Sequence, residues 1–223
     1  MVMPDKKKYP LMIVLMAFLV AGLACNLPSQ APVIEEHAEN IPVQRYRVEE
    51  RVINDVEISI SLPFSYDVND PGDDLSTLAG NLGVLDTPLT GDLQNLLDAA
   101  EEDILIWGYD TASAGEFPIS FLILKNEDYA AMPLGLISTF ARTLIGNQIE
   151  ILEEQRLTLA GRDTLRWITL TTEAGVELTQ TVYLFKEGGT LFLVGFNTDS
   201  QGVYEQLGTF DAIVASLRID GLE

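Results

Sequence analysis

The chain has 223 residues, 47% of them hydrophobic, and its 34 acidic and 13 basic residues give a formal net charge of −21 at pH 7. This negative charge argues against nucleic-acid binding and against a broad docking face for anionic lipid, because both depend on basic side chains. Cys25 is the single cysteine, so the sequence excludes an intrachain disulfide, a thiolate metal site and thiol catalysis in the rest of the chain.

The N-terminal segment has the features of a secretory signal. Three lysines, Lys6 to Lys8, precede the run 11–24, which has 14 residues and no charged or polar side chain. A membrane-spanning helix needs about 20 apolar residues, so this run is too short for a comfortable span and suits the apolar region of a signal peptide. The lysines fit the positive charge that stays on the cytoplasmic side of the membrane.

The end of this run, Gly22-Leu23-Ala24-Cys25, resembles a bacterial lipoprotein signal, in which leucine and two small residues precede the modified cysteine. Ala24 and Cys25 match, and Gly22 stands where leucine is usual. The resemblance implies cleavage between Ala24 and Cys25, diacylglycerol on the Cys25 thiol and a fatty acid such as palmitate on the new amino terminus. We therefore expect a lipid anchor at the extracytoplasmic face of the cell membrane. An uncleaved N-terminal anchor and a secreted protein are the alternatives.

This interpretation divides the chain into three segments. Residues 1–24 are the predicted lipoprotein signal peptide, 25–45 a proline-rich tether that contains the only histidine, His37, and 46–223 a single domain. Without residues 1–24, which hold three lysines and one aspartate, 10 basic and 33 acidic residues remain and the net charge becomes −23. A domain of about 175 residues is large enough to bury one hydrophobic core.

The first half of the domain is predicted as four strands, a turn and a helix. In chain order these are strands at 46–52 and 56–62, a turn at 67–74, an amphipathic helix at 93–100 and strands at 103–110 and 117–125. Alternating apolar and polar residues indicate the first two strands, whereas the last two are apolar enough to be buried on both faces. The aliphatic face of the second strand consists of Val56, Ile58, Ile60 and Leu62.

The second half is predicted as a helix, four strands linked as hairpins, and a final helix. Pro133 suits the first turn of a helix over 133–147, and a glycine and an asparagine end it. The turns between the four strands lie at Gly161, Ala174-Gly175 and Gly188-Gly189, because glycine allows the positive φ that tight hairpins need. Helical spacing runs from Val203 to Leu217. The element order is an α+β pattern.

Three stretches of the domain resemble the PsbP-like family. They are ISLPFSYDV at 60–68, TVYLFKEGGTLFLVGFNT at 181–198 and GTFDAIVASLRI at 208–219, the last with a Ser216-Leu217 pair at the end of the helix. The resemblance implies an antiparallel β-sheet covered by α-helices on both sides, an α/β/α sandwich. It also implies a role in binding or assisting other proteins, and the family has no shared catalytic set to carry over.

One run of the sequence suits a metal ion. Residues 67–74, DVNDPGDD, supply hard oxygen donors of the kind that bind Ca²⁺. In the spacing of an EF-hand loop, Pro71 and Leu78 stand where ligands are needed, and an ordinary acidic turn is the alternative. The candidate ligands are Asp67, Asn69, Asp70, Asp73 and Asp74.

No catalytic residue and no cofactor is predicted, because 46–223 has no histidine, no cysteine and no phosphate-binding glycine loop. Two groups of residues stay open to two interpretations. Four aromatic residues line a pocket or belong to the core: Trp107, Tyr109, Phe117 and Phe121. A polar group forms a solvated face or the rim of a partner site: residues 153–156, Arg162, Asp163 and Arg166.

We therefore expect a non-catalytic binding or assembly factor for an envelope protein complex, and not an enzyme. Its expected partners are the membrane, through acylated Cys25, and an envelope protein, but not nucleic acid. The alternative is a module at the cell envelope that binds a small molecule beneath the helix at 133–147, or Ca²⁺ at the acidic turn.

Overall fold

The computed structural model describes residues 45–53, 56–69, 103–113, 119–127, 129, 131–145, 149–173, 176–198 and 202–221. Several predictions lie outside these residues: the signal peptide at 1–24, the tether at 25–45 except for its last residue, the helix at 93–100 and the turn at Ala174-Gly175.

The described residues form ten strands and two helices. The strands are β1 (Tyr46–Ile53), β2 (Val56–Pro63), β3 (Tyr66–Asn69), β4 (Ile104–Asp110), β5 (Ser120–Asn126), β6 (Glu150–Leu159), β7 (Arg162–Glu173), β8 (Val176–Glu187), β9 (Thr190–Thr198) and β10 (Arg218–Asp220). The helices are α1 (Leu134–Ile145) and α2 (Val203–Ser216). Neither helix of the described ranges has the length and apolar character needed to cross a membrane.

Seven strands form one large antiparallel sheet in the order β3-β4-β5-β9-β8-β7-β6. Strands β6 to β9 follow one another as hairpins. The backbone φ is 85° at Gly161, 56° at Gly188 and 80° at Gly189, values that glycine adopts without the strain of a side chain. The predicted turns at Gly161 and at Gly188-Gly189 are therefore confirmed.

The other three strands form a small antiparallel sheet in the order β1-β2-β10. Its central strand, β2, turns one side to the core, and the four aliphatic residues predicted to share that side are all buried there. Strand β10 begins directly after α2, and its Ile219 lies opposite Ile58 of β2. The C-terminal end of α2 is therefore continuous with the small sheet.

The hydrophobic core lies between one face of the large sheet, α2 and the inner side of the small sheet. Phe210 of α2 stacks on Phe196 of β9 with ring centroids 4.2 Å apart. Phe196 also contacts Tyr183 of β8 and Phe121 of β5, with centroids 6.0 and 6.1 Å away. Aromatic pairs contribute about 0.5–1.5 kcal/mol each beyond the area they bury, so this cluster fixes α2 on the sheet.

The predicted fold class is wrong. An α/β/α sandwich has helices on both faces of its sheet, whereas the described residues hold two antiparallel sheets and only two helices. On one face of the large sheet, the strand at 218–220 explains the difference. It is too short to be recognised in the sequence, and it pairs with β2, so that β1, β2 and β10 form a separate small sheet. The small sheet and α2 together cover the face that the prediction assigned to helices alone.

The replacement Gly108→Ala should destabilise the protein. Gly108 of β4 lies opposite Val68 and Phe121, and an added Cβ would meet the Asp67 carbonyl oxygen and would lie 2.6 Å from Phe121 Cε1. Because neither neighbour can move freely, we expect the free energy of unfolding to fall by about 1–3 kcal/mol, the usual result of overpacking. Urea denaturation measures this change.

The matched control is Gly208→Ala in α2, because a Cβ at Gly208 meets no heavy atom within 4 Å. Alanine is more favourable than glycine inside a helix by about 1 kcal/mol. This variant should be at least as stable as the wild-type protein, and equal stability of the two variants would contradict the close packing at Gly108.

Candidate interaction surface

Strand β1 turns its apolar side to the solvent. Exposed and partly buried residues alternate along it, and Val48 and Val52 are 61% and 71% exposed. Tyr46 on the same side is 40% exposed. We call Tyr46, Val48, Glu50 and Val52 the β1 surface. It includes three of the seven large hydrophobic residues that are exposed in the described part of the chain.

The inner side of β1 is charged. Glu49 contacts Arg47 at 2.6 Å and Arg51 at 3.2 Å. Arg47 Nη2 also donates a 2.7 Å hydrogen bond to the carbonyl oxygen of Tyr66. Ile53 ends this side of the strand and packs against the core. The ionic groups therefore lie against the body of the protein and the valines lie outside, so the polarity of β1 is opposite to that of β2.

A cleft of about 360 Å³ adjoins the β1 surface, and residues of all three strands of the small sheet line it. Its carboxylates belong to Glu50, Glu57 and Asp220. Glu57 lies directly opposite Val52 of β1 on one side and opposite Asp220 of β10 on the other. The exposed valine therefore has a carboxylate as its cross-strand neighbour, and Arg51 is the one basic residue among those that line the cleft.

A second cleft, of about 260 Å³, lies between α1 and strands β6 and β7; we call it the α1 cleft. Leu134, Gly135 and Ser138 line it from the helix, and Glu154 and Leu165 line it from the strands. The two leucines are buried, and a Cβ added at Gly135 would meet no heavy atom within 4 Å. Ligand pockets usually enclose about 300 Å³ or more, so this cleft suits only a small molecule.

Glu154 and Arg156 are the charged residues that line the α1 cleft, and Glu154 is the acidic one. Its Oε2 accepts hydrogen bonds from Ser138 Oγ at 3.0 Å, Arg142 Nε at 3.1 Å and Trp167 Nε1 at 3.0 Å. Burial alone would raise the pKa of Glu154, but these hydrogen bonds and the Arg142 charge hold that pKa below its ordinary value. The carboxylate is therefore ionised at neutral pH and is a poor proton donor.

A buried arginine joins α2 to the large sheet. Arg166 Nη1 of β7 donates to both carboxylate oxygens of Asp211 in α2, at 3.1 and 3.0 Å. Tyr183 of β8 donates a 2.7 Å hydrogen bond to Asp211 Oδ1. Burial would lower the pKa of Arg166, but the Asp211 charge, Tyr183 and the hydrogen bonds to both together outweigh burial and raise that pKa. We call Arg166, Tyr183 and Asp211 the α2 clamp.

The residues predicted for lipidation and for Ca²⁺ are only partly described. Outside the described residues lie Ala24, Cys25, Asp70, Asp73 and Asp74. Asp67 and Asn69 belong to β3, where they lie opposite Tyr109 and Trp107 of β4. Within the ranges that the structure describes, no three histidine, cysteine or carboxylate side chains are grouped as metal ligands. Both the lipid anchor and the calcium site therefore stay predictions.

The aromatic residues proposed for a pocket do not line one. Trp107 lies opposite Leu122, whereas Phe121 lies opposite Gly108, so the two rings project from opposite faces of the sheet. Both are buried, and Phe121 belongs to the core between the sheets. Tyr109 shares the face of Trp107 and is partly exposed, and Phe117 lies outside the described residues. The core interpretation is the one that the structure supports.

The predicted polar group divides between two faces of the large sheet. Arg156 and Asp163 form an exposed ion pair at 3.0 Å, as expected for a solvated face. Arg162 instead donates a 2.7 Å hydrogen bond to the carbonyl oxygen of Val214 in α2, and Arg166 belongs to the α2 clamp. The two arginines of this group that face α2 are therefore structural.

The β1 surface is not among the sites predicted from the sequence. The sequence feature that indicates this surface is YRVEERV at 46–52. Apolar and charged residues alternate from Tyr46 to Glu49, and Glu50 interrupts the alternation. A period of two shows that the two sides differ, but it does not say which side faces the core.

Comparison with protein-family models finds no match, and no curated protein matches either. Among solved structures, the chain is similar to cyanobacterial PsbP (CyanoP) from Synechocystis sp. PCC 6803, with 10% identity, a TM-score of 0.49, and 83% of this chain and 98% of that chain covered. It is similar to LpqN, involved in cell envelope biogenesis of Mycobacterium tuberculosis, with 11% identity, a TM-score of 0.44, and 80% and 94% covered. It is also similar to the Saccharomyces cerevisiae Ran-binding protein Mog1p, with 10% identity, a TM-score of 0.43, and 78% and 96% covered. Likenesses at these TM-scores and identities carry no argument about function.

Alkaline pH should destabilise the protein through two buried tyrosines. Burial and the Asp211 carboxylate raise the pKa of Tyr183, and burial with Asp110 nearby raises the pKa of Tyr66. The folded chain therefore keeps these protons where the unfolded chain, whose tyrosines ionise near about pH 10, loses them. Below that pH the ionisation of the two tyrosines does not change the free energy of unfolding. Above it, each tyrosine should lower the free energy of unfolding by about 1.4 kcal/mol per pH unit.

Each of the variants Tyr183→Phe and Tyr66→Phe should lose the alkaline fall in unfolding free energy that its own tyrosine causes. Urea denaturation from neutral to alkaline pH measures this change. At neutral pH the two should differ. Tyr183→Phe loses the hydrogen bond to Asp211 and about 1 kcal/mol, whereas the Tyr66 hydroxyl has no hydrogen-bond partner in the described structure. An unchanged alkaline slope in the double variant would show that these two hydroxyls do not cause the loss of stability.

Proposed function

We propose that this chain is a lipid-anchored protein of the extracytoplasmic face of the cell membrane, with a PsbP-like domain over 46–223. It acts as a non-catalytic binding or assembly factor for an envelope protein complex. The observation that supports binding is the β1 surface, where apolar side chains are exposed along the margin of the small sheet. Exposed apolar patches on a folded protein commonly mark interaction sites.

The lipid anchor is supported by the sequence that precedes the domain. An apolar run of 14 residues follows the cluster Lys6 to Lys8 and leads directly to Cys25. Two or more acyl chains hold a protein at a membrane stably, whereas one does not. Because β1 is the first strand after the tether, the β1 surface would lie close to the membrane and to its other proteins.

The non-catalytic role rests on the composition of 46–223, which has no histidine and no cysteine. Two carboxylates with several contacts, Glu154 and Asp211, each pair with an arginine. Pairing of this kind fixes a carboxylate in one position, and the pKa of Glu154 is held below its ordinary value, whereas acid–base catalysis requires a pKa near the working pH. These groups therefore suit a structural role better than a chemical one.

A photo-crosslinking amino acid placed at Val48 should capture the partner in intact cells. Val48 is 61% exposed on β1, and Tyr204 of α2, which is 57% exposed, is the matched control position. Because the β1 surface is the proposed contact, we expect a cross-linked envelope protein from Val48 and none from Tyr204. The products would be purified from detergent-solubilised membranes and identified by mass spectrometry.

Cys25→Ala is the control for the anchor. It should move the protein out of the membrane fraction and abolish the Val48 cross-link. Equal cross-linking from the two positions, or no cross-link while Cys25 is acylated, would contradict the binding role. Wild-type protein found outside the membrane fraction would contradict the anchor.

The α1 cleft favours a second candidate function, the binding of a small molecule. The buried side chains of Leu134 and Leu165 form its apolar lining, and Glu154 supplies a charge. A ligand that binds only the folded protein raises the melting temperature by mass action. We therefore expect at least one compound of a metabolite library to raise the melting temperature of the wild-type protein.

Gly135→Leu is the variant that tests the location of this ligand. Gly135 lines the cleft and no heavy atom lies within 4 Å of a Cβ added there, so a leucine side chain should narrow the cleft. Because leucine is more favourable than glycine in a helix, the variant should melt at or above the wild-type temperature, and it should lose the response to the ligand. A response that survives in Gly135→Leu, or a library without any effect, would contradict the second function.

A further inference from the structure

Strand β1 lies at a margin of the small sheet. It pairs with β2 along all eight of its residues, and within the described residues no strand lies on its other side. An edge strand presents backbone N–H and C=O groups to which another strand can add. A partner that binds the β1 surface can therefore use main-chain hydrogen bonds as well as apolar contact.

The charged side chains on the inner side of β1 contact one another, so we assign the selection of a partner to the side chains on the outer side. Glu49 contacts both Arg47 and Arg51, so all three charged side chains of the inner side already have a partner within this chain, and together they carry a net charge of +1. Inward-pointing charges are a common device against unselective pairing of edge strands. An incoming strand is then selected by the outer side of β1.

The outer side determines the chemistry of the incoming strand. Val48, Glu50 and Val52 occupy alternate positions, so alternate residues of an added strand lie directly opposite them. Aliphatic residues opposite the two valines and a basic residue opposite Glu50 give favourable cross-strand pairs. The complementary pattern is aliphatic, basic, aliphatic at every second position.

The surroundings of β1 strengthen the preference for a basic residue. Glu57 lies opposite Val52, and Asp220 lies opposite Glu57 on the far strand of the small sheet. With Glu50, the adjoining cleft therefore has three carboxylates against one cation, Arg51. Arg218, the cation of β10, donates to the carbonyl oxygens of Ala215 and Leu217 at the end of α2, both at 3.1 Å. The formal net charge of −21 also attracts basic partners and repels acidic ones.

A second copy of this chain complements β1 less well. Antiparallel self-pairing centred on Glu50 would bring Val48 opposite Val52 but would also place two Glu50 side chains opposite each other. Like charges directly opposite each other destabilise a sheet. Two chains with a formal net charge of −21 also repel each other over longer distances.

We propose that β1 binds an extended segment of a partner protein as an added strand, and that this segment carries a lysine or arginine between two aliphatic residues at alternate positions. The proposal rests on the proposed function and defines the chemistry of the partner at the β1 surface.

The test uses the full-length acylated protein in detergent micelles and the labelled peptide Thr-Val-Thr-Lys-Thr-Val-Thr, whose lysine lies opposite Glu50 in either strand direction. Fluorescence anisotropy should show binding that Glu50→Lys weakens by at least about tenfold. A peptide with glutamate in place of the lysine should prefer the variant. Glu205→Lys, the same charge change at an exposed position of α2, is the matched control and should leave the affinity unchanged.

Methylation of the peptide backbone distinguishes strand addition from side-chain contact. Alternate N–H groups of a strand point to opposite edges, so methylation of one alternate set should abolish binding and methylation of the other set should be tolerated. Equal binding of the two methylated peptides would overturn strand addition. Equal affinity of the wild-type protein and Glu50→Lys would overturn the basic preference.

The results for this inference and for the proposed function can be told apart. A Val48 cross-link to an envelope protein without any peptide binding would overturn the inference and leave the proposed function intact. Peptide binding without a Val48 cross-link in cells would support the inference and contradict the proposed function. A Val48 cross-link to a second copy of this chain would overturn the inference and assign β1 to self-association.

Discussion

The contact between Arg166 and Asp211 is the interaction on which the arrangement of the two sheets depends. It fixes α2 on the large sheet; α2 leads directly into β10, and β10 pairs with β2, which in turn carries β1. The Arg166 side chain is only 8% exposed. Loss of Asp211 would leave this buried charge with only Glu153, 3.4 Å away, as a carboxylate partner, which is more destabilising than the pair is stabilising. The position of the β1 surface therefore depends on an ion pair in another part of the chain.

Two further contacts hold the last turn of α2 from both sides. Arg162 of β7 donates to the Val214 carbonyl oxygen, and its guanidinium carbon lies 4.5 Å from the centre of the Phe185 ring. On the other side, the Ser61 backbone N–H of β2 donates a 2.9 Å hydrogen bond to Ser216 Oγ. Because the helix end is fixed between the two sheets, β10 can begin at the second residue after it.

The local elements of this fold could be predicted because their causes are local. Period-two alternation identified β2, and the glycines that adopt positive φ identified two hairpin turns. The final helix was predicted through Leu217 and ends at Ser216, because Leu217 has φ −60° and ψ 128°, an extended conformation. The division into two sheets could not be predicted, since it depends on contacts such as Ser61 with Ser216, which are 155 residues apart.

The β1 surface could not be predicted for a different reason. The margin of a small sheet extends past the core, so inner positions of β1 are only half-buried, and arginine can cover apolar surface with its methylene groups while its guanidinium meets polar groups. Arg47 does this beside Tyr66 and Glu49. An assignment by hydrophobicity alone would place the valines inside, where the structure has these charges.

The reversed polarity of β1 is the physical argument for its role. Exposed aliphatic side chains are unfavourable in water, and covering them recovers about 25 cal/mol per Å² of apolar surface. In the isolated chain Val48 and Val52 contribute little of that gain, whereas Val56 and Ile58 of the neighbouring strand have it already. Part of this free energy is still available to β1 on binding, because the side chains of an added strand cover the flanks of Val48 and Val52, and this needs no rearrangement of the core.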